Sequence, residues 1–356
     1  MICSSSLVAA LATALAVVGG PACGTRPTTE ALRPAAAENT ARAVPAPAPA
    51  RAIPVGKTEP RLLDLPEARI LEALAEGDVE KVTKGSGGRS LAFKLSLENG
   101  VAGYFKPEQS FASNWYSELA SYYLDRELGL GRVPPAIGRR LEWRVLAAAA
   151  GRDERLHEVV IRKGRVRGSM VYWLEGPLAP VELPAGWESW LRLDERREIS
   201  PFQDLPSYRR ALKQGRVDEA APPPLDESRA AELSDLVVFD YLIGNLDRWS
   251  RDLTNVRTLG AKKRLIFFDN SNGFEVKAKP SWLLARRLKA VQRFRKTTIE
   301  AIRALDREKL VARMATDPLA PLLNEAQLDQ LEERRARLLA HVAALERAHG
   351  SRVLSF

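Results

Sequence analysis

From Leu62 onward the apolar residues change period along the chain, and each change marks an element. Asp64 is placed to cap a first helix, with Pro66 in its first turn, Ile70, Leu71 and Leu74 on its apolar side and Gly77 as its stop. A Gly85-Ser-Gly-Gly88 turn follows. Alternation at Leu91, Phe93, Leu95 and Leu97 then predicts a strand, and Asn99-Gly100 predicts a tight hairpin into a second one, Val101 to Lys106. A helix is expected from about Asn114 to Leu128, with Trp115, Leu119, Tyr122 and Tyr123 inside. Glu227 to Gly244 is apolar on almost every side and predicts a buried helix, and Arg264 to Phe268 a strand. Leu284, Leu288, Val291 and Phe294 give the basic stretch Arg286–Lys296 one apolar side, predicting an amphipathic helix with solvated cations. Gln327 to His349 reads as a charge-laced structural helix, and Gln203–Ala221 with Pro222-Pro-Pro224 as an insertion or lid.

The first 60 residues follow another pattern. Leu7 to Val18 is a 12-residue apolar stretch, too short to span a bilayer and suited to the core of a signal peptide. Residues 1–22 are therefore expected to direct export, to the periplasm, the cell surface or the medium. Ala22-Cys23-Gly24 resembles a lipoprotein processing site, with Cys23 as the lipid-bearing residue; simple cleavage is the alternative. Residues 24–60 hold seven prolines and no Phe, Trp or Tyr. Alternating Pro favours an extended chain that cannot bury a core, so residues 23–60 read as a spacer.

Composition narrows the chemistry. The 356 residues are 45% hydrophobic and carry 54 Lys and Arg against 45 Asp and Glu. No long apolar run follows the N-terminus, which excludes a polytopic membrane protein. Two cysteines, Cys3 and Cys23, and three histidines build neither a zinc cage nor a disulfide framework. Catalysis must run on Asp, Glu, Lys, Arg, Asn or Ser.

Such residues occur in a telling order. Backbone N–H groups of a turn containing Gly85, Gly87 and Gly88 can approach phosphates closely. Lys106, near the end of a strand, offers them a point charge, and Glu118, twelve residues on, can hold that lysine from a helix. Asp247 lies in the loop after the buried helix, and Asp269 follows a strand 22 residues later. Phosphoryl transfer needs two such carboxylates, one to accept the proton of the attacking hydroxyl and one to hold a divalent ion. Asp252 and Asn255 are oxygen donors close enough in sequence to give a second metal contact. Taken singly, the glycine turn is equally a plain loop, Lys106 and Glu118 surface charges, and both Asp loops ordinary turns. The serial arrangement carries the reading.

Leu236–Asn255 (LVVFDYLIGNLDRWSRDLTN) and Leu265–Phe274 (LIFFDNSNGF) resemble the Four-jointed kinases and the wider Golgi casein kinase family of the secretory pathway. Ser117–Arg139 is similar to that family's glutamate helix and Val-Pro-Pro strand start, KGSGGRSLAFKL to its phosphate-loop region, and Val171-Tyr-Trp-Leu174 to the strand entering the hinge. The resemblance runs from about residue 80 to 345. It implies an α+β, atypical two-lobed protein-kinase-like fold over residues 61–350, with a strand-rich lobe to about residue 176 and a helical lobe from about 177. It implies ATP with Mg²⁺ or Mn²⁺ and transfer to Ser or Thr hydroxyls of exported proteins. Lys106 becomes the phosphate-binding lysine, Glu118 its partner, Asp247 the general base and Asp269 the metal ligand. Asn255 falls on a recurring Asn, and Asp252 falls where Four-jointed proteins often carry Asn. Glu175-Gly176 falls at the hinge, where backbone groups meet the adenine edge. Trp249 stands where the casein-kinase branch has His, which favours the Four-jointed side.

Other readings stay open. The Asn-x-Asp-Arg signature also occurs in HipA-like toxin kinases and phosphoinositide kinases; a glycan acceptor and a partner-binding pseudokinase are further alternatives. No nucleic-acid partner is expected, because the basic stretch lacks exposed aromatics interleaved on strands. The sequence leaves the oligomeric state open.

Overall fold

A computed structural model of the chain describes residues 66–111, 114–176, 178–217, 222–224, 227–249, 253, 255–259 and 264–356. The export stretch, Cys23, the spacer, the Asp64 cap and Asp252 all lie outside these residues.

Chain order is α1 (Glu67–Glu76), β1 (Val79–Lys84), β2 (Phe93–Leu97), β3 (Ala102–Pro107), α2 (Trp115–Glu127), β4 (Ala136–Glu142), α3 (Trp143–Ala150) and β5 (Arg165–Tyr172). Then come β6 (Leu178–Pro180), α4 (Leu205–Gln214), α5 (Glu227–Ile243), β7 (Arg257–Leu259), β8 (Arg264–Ile266), α6 (Trp282–Lys289), α7 (Lys296–Ala304), α8 (Arg307–Met314) and α9 (Glu325–His349). Five antiparallel strands form one sheet in the order β1-β2-β3-β5-β4, and β6-β7-β8 form a small second one. This is an α+β, two-lobed kinase-like fold, with a sheet-rich region followed by helices.

Side-chain alternation gives the large sheet two faces. Phe93, Leu95, Leu97, Phe105, Val166 and Met170 point one way and are buried with Ile70 and Leu74 of α1 and Leu146 of α3. Lys94, Tyr104, Lys106, Val171 and Trp173 therefore share the other face, which lines a cavity. Gly168 of β5 makes this register possible beside Lys106: a Cβ there would collide with the lysine's own carbonyl oxygen. The helix carrying Glu118 belongs to the other core. Trp115, Leu119, Tyr122, Tyr123 and Leu128 are buried with α5, α6, α7 and α9.

The expected hairpin is present, with the Gly100 N–H donating to the Leu97 carbonyl at 2.9 Å. Pro66, whose carbonyl accepts from the Arg69 N–H, stands at the N-cap of α1, ahead of the helix proper. The basic stretch differs from expectation. It is not one helix over Arg286–Lys296: α6 ends at Lys289 and α7 begins at Lys296. Between them Gln292 and Arg293 N–H groups donate to the Leu191 carbonyl and Phe294 N–H to the Val353 carbonyl, and these tertiary bonds replace the helical ones. Leu284, Leu288, Val291 and Phe294 are buried as expected, but so is Arg287. The Gln203–Ala221 segment contains α4, whose Tyr208 stacks on Trp282 of α6 with ring centroids 5.7 Å apart.

Candidate active site

The loop after β8 delivers four consecutive polar side chains, and each has a separate task. Asp269 has a φ of 56°, a conformation Asp tolerates better than most residues. Its Oδ1 accepts from Lys106 Nζ at 2.8 Å. The backbone N–H of Asn270 donates to both oxygens of Glu118, each at 3.1 Å, while its side-chain oxygen accepts from Arg248 at 2.5 Å. Ser271 Oγ donates to Asp269 at 3.2 Å. Asn272 Nδ2 donates to Asp247 Oδ2 at 2.6 Å. The next residue, Gly273, packs so closely against Ser117 Oγ that a Cβ would reach 2.7 Å from it.

Lys106 and Glu118 meet at 2.5 Å, both nearly buried. Burial alone would lower the lysine's pKa. The Asp269 and Glu118 carboxylates outweigh it and hold the ammonium well above its usual range. Asp269 is pulled the other way: the Lys106 charge, against burial, keeps its carboxyl below the usual range. About 40% of the Asp269 side chain nevertheless faces solvent, which leaves oxygen free for a ligand. Asp247 lines the same cavity, held to the loop after β8 by Asn272. Partial burial pushes its carboxyl up, the Asn272 amide pulls it back, and the Asp269 charge adds to the rise. Since Asp247 opens to solvent, that rise is a damped one.

Beneath Asp247 is a buried polar layer. Arg248, wholly inside, donates to Asp240 Oδ1 of α5 at 3.1 Å, to Asn270 and to the Phe268 carbonyl. Asn245 Oδ1 accepts from the Asp247 N–H at 3.0 Å. This layer ties the end of α5 to the loop after β8, and so fixes the two carboxylates relative to each other.

The cavity measures about 710 Å³, a size suited to a nucleotide, and its wall includes Gly85, Gly87, Gly88, Lys106, Asp247 and Asp269. The glycine turn lies between β1 and β2 and is strapped from outside. Asp153 binds Lys84 at 3.0 Å and orients Arg155, whose Nη1 donates to the Gly88 and Ser90 carbonyls at 3.1 Å each. Arg89 pairs with Glu158 at 2.8 Å. Trp173 lines the cavity beside Tyr104, with the Lys94 ammonium 4.2 Å from its ring centre.

Glu118 and Asn255 also line the cavity, so the structure brings together every sequence-predicted residue it describes except Glu175. Glu175 is exposed, and its neighbours Leu174 and Gly176 line the wall instead. Among the described residues no three His, Cys, Asp or Glu side chains cluster to hold a metal. The donors present, the half-exposed Asp269 carboxylate and the Asn255 amide, are hard oxygens that suit Mg²⁺ or Mn²⁺ completed by phosphate oxygens. Sequence reasoning missed the inward partners Asp240 and Asn270, the Asn272 contact and the Asp153–Arg155 strap. An acid inside the otherwise apolar VVFDYLIG run was a usable signal for Asp240.

An ion-paired strand lysine, a helix glutamate and two loop aspartates around one cleft define a molecule of the protein-kinase class. A family model described as "Golgi casein kinase, C-terminal, Fam20" matches residues 152–353, more than half the chain, and the protein belongs to that family. Human "Extracellular serine/threonine protein kinase FAM20C" is 25% identical over 312 residues, 74% of this chain and 52% of that protein; the chain thus spans about half the length of that relative. "Glycosaminoglycan xylosylkinase" of Danio rerio is 27% identical over 333 residues, 83% of this chain and 80% of the other. "Pseudokinase FAM20A" of Mus musculus is 24% identical over 269 residues, 66% of this chain and 48% of the other. Two solved structures share the fold: a hydra Fam20 with sugar, and the Golgi casein kinase with Mn/ADP bound. The first gives a TM-score of 0.60 at 20% identity, covering 82% of this chain and 92% of that one. The second gives 0.57 at 17%, covering 80% and 77%.

Proposed function

We propose that the protein is an ATP-dependent phosphotransferase that moves the γ-phosphoryl group to a Ser or Thr hydroxyl of an exported protein. The observation that carries this is Lys106, ion-paired to Glu118 and Asp269, with Asp247 lining the same cavity. Lys106 neutralises charge on the donor phosphates, and Glu118 keeps its ammonium in place. Gly85, Gly87 and Gly88 offer backbone N–H groups to the same phosphates. The lobes divide near Gly176, where the backbone of Leu174 and Gly176, both lining the cavity, is offered to the adenine edge.

Asp269 and Asn255, together with Asp252, would hold Mg²⁺ or Mn²⁺, which when bound neutralises and orients the β- and γ-phosphates. The Mn and ADP of the solved Golgi casein kinase support such a donor. Asp247 takes the proton of the acceptor hydroxyl as that oxygen bonds to the γ-phosphorus. The bond to the β–γ bridging oxygen breaks and ADP leaves. Its raised pKa brings Asp247 nearer the working pH of a base, and the Asn272 amide fixes which oxygen faces the acceptor.

The apolar stretch Leu7–Val18 and the extracellular relative support an exported acceptor. A glycan hydroxyl is the second reading, favoured by the xylosylkinase, which this chain matches along most of both lengths. The pseudokinase reading fits less well with a complete Lys106, Glu118, Asp247 and Asp269 set. Incubating the purified protein with labelled ATP, Mn²⁺ and separate protein and glycan acceptors tests the proposal. Label should enter one acceptor class with wild type and be lost in Asp269→Ala; equal incorporation by both proteins rejects the assignment.

A further inference from the structure

We infer that Arg287 is a positioning residue for phosphoryl transfer: its guanidinium holds the backbone on both sides of Asp247 and so sets where that carboxylate stands. This rests on the phosphotransfer reading above. Arg287 sits in the basic stretch, between Arg286 and Lys289, which lie at the surface, yet it is only 2% exposed. α6 turns it inward beside Leu283, Leu284 and Leu288.

Among the described residues, four of its five N–H groups are engaged, each by a main-chain oxygen. Nη1 donates to the Leu246 carbonyl at 3.1 Å and Nη2 to the Trp249 carbonyl at 3.5 Å, one on each side of Asp247. Nε donates to the Pro201 carbonyl at 3.0 Å and Nη2 also to the Gln203 carbonyl at 3.2 Å. A planar fork with five N–H groups can serve four oxygens from two segments at once, and no other side chain can. Burial draws the Arg287 pKa down to about 10, against the more distant charges of Asp240 and Asp247. A buried cation held by carbonyls alone is costly, and an apolar side chain would fill the same place at less expense.

The Gly244–Trp249 segment has no regular structure after α5 to hold it. Asn245 fixes its Asp247 N–H from within, Arg248 anchors it to Asp240, and Arg287 supplies the remaining grip on its carbonyls. None of the bonds that Arg287 makes reaches Lys106, Glu118, Asp269 or the glycine turn. Its loss should therefore move the base and spare donor binding.

The test compares full-length wild type, Arg287→Met and Arg287→Lys by turnover, by ADP affinity with Mn²⁺, and by amide hydrogen exchange. For Arg287→Met we expect turnover lower by about tenfold or more and ADP affinity within about twofold of wild type. Exchange of residues 245–249 should quicken by roughly tenfold while residues 85–92 stay unchanged. Arg287→Lys should recover part of the turnover. Wild-type turnover and wild-type exchange in Arg287→Met would overturn the inference. So would faster exchange everywhere with ADP binding lost, which marks a general fold anchor. If Arg287→Met does not fold, Arg287→Lys decides: turnover about threefold to tenfold lower with ADP affinity kept is the expected result, and unaltered turnover overturns it. If wild type itself transfers no phosphate, the phosphotransfer reading has failed, and the exchange of residues 245–249 still decides whether Arg287 holds the loop.

Discussion

Two walls of one cavity are built on opposite plans. The wall with Lys106, Asp269 and Asp247 stands on buried charge: Glu118, Asp240 and Arg248 are almost fully enclosed, and Glu118 and Arg248 each meet more than one partner. The glycine turn in the same lining is held by Arg155 and Arg89, whose side chains remain 23% and 53% exposed. Bonds in the first wall are strong and unforgiving, because a buried charge that loses its partner has no water to turn to. Bonds in the second are individually weak and screened by salt. On the proposed function, the first wall would serve the chemical step and the second would adjust how tightly the donor is held.

Substitutions can break or sharpen that contrast. Lys106→Met should lower turnover by about two to three orders of magnitude, measured as label transferred from ATP, since charge neutralisation at the phosphates is lost. A drop of only a few-fold would move the phosphate site elsewhere. Arg248→Met leaves Asp240 buried without its cation, and should cost about 3–5 kcal/mol in a urea titration. A cost below about 1 kcal/mol would mean the inner wall is no more critical than a surface pair. Arg155→Ala frees the Gly88 and Ser90 carbonyls; the expected result is a nucleotide KM about threefold to tenfold higher with kcat nearly unchanged. If kcat falls and KM holds, the two walls do not divide the work as stated.

Asp247 gives the smallest effect on stability, and one with a definite sign. Its folded pKa is raised, so the fold disfavours the ionised carboxyl relative to the unfolded chain. That penalty sets in as pH rises through the unfolded pKa and is complete above the folded one. Asp247→Asn should therefore gain a degree or so of Tm near neutral pH, on the order of what a fraction of a kcal/mol gives, and nothing at low pH. Transfer should be abolished at the same time. Lower stability at neutral pH in that variant would contradict the direction of the shift.

Much of this was legible in the sequence. Alternation at Phe93, Leu95 and Leu97, the Asn99-Gly100 turn and the apolar Glu227–Gly244 run depend on short-range patterns, and β2, the hairpin and α5 stand where those patterns put them. Lys106, Glu118, Asp247 and Asp269 could be picked out because their order along the chain matches the needs of one reaction. What stayed hidden depends on contacts across long stretches of chain. The break between Lys289 and Lys296 comes from carbonyls of Leu191 and Val353, which no local window contains. Arg287 looked like its solvated neighbours because period alone cannot tell a cation that covers a helix from one that serves carbonyls 41 and 86 residues away. The strap on the glycine turn joins Arg155 to residues 65 and 67 positions earlier, and nothing in Asp153-Glu-Arg155 announces that partner.

The seat of α2 has a consequence for control. Trp115, Leu119, Tyr122 and Tyr123 are sunk among the later helices, with Tyr123 also tied to Asp317 and Arg126 to Glu67. Swinging Glu118 away from Lys106 would expose several large side chains to water, at about 1.5–3 kcal/mol apiece. An off state reached by rotating this helix would carry that whole cost, so on the proposed function a throttle acts more cheaply on the supply of donor, ion or acceptor.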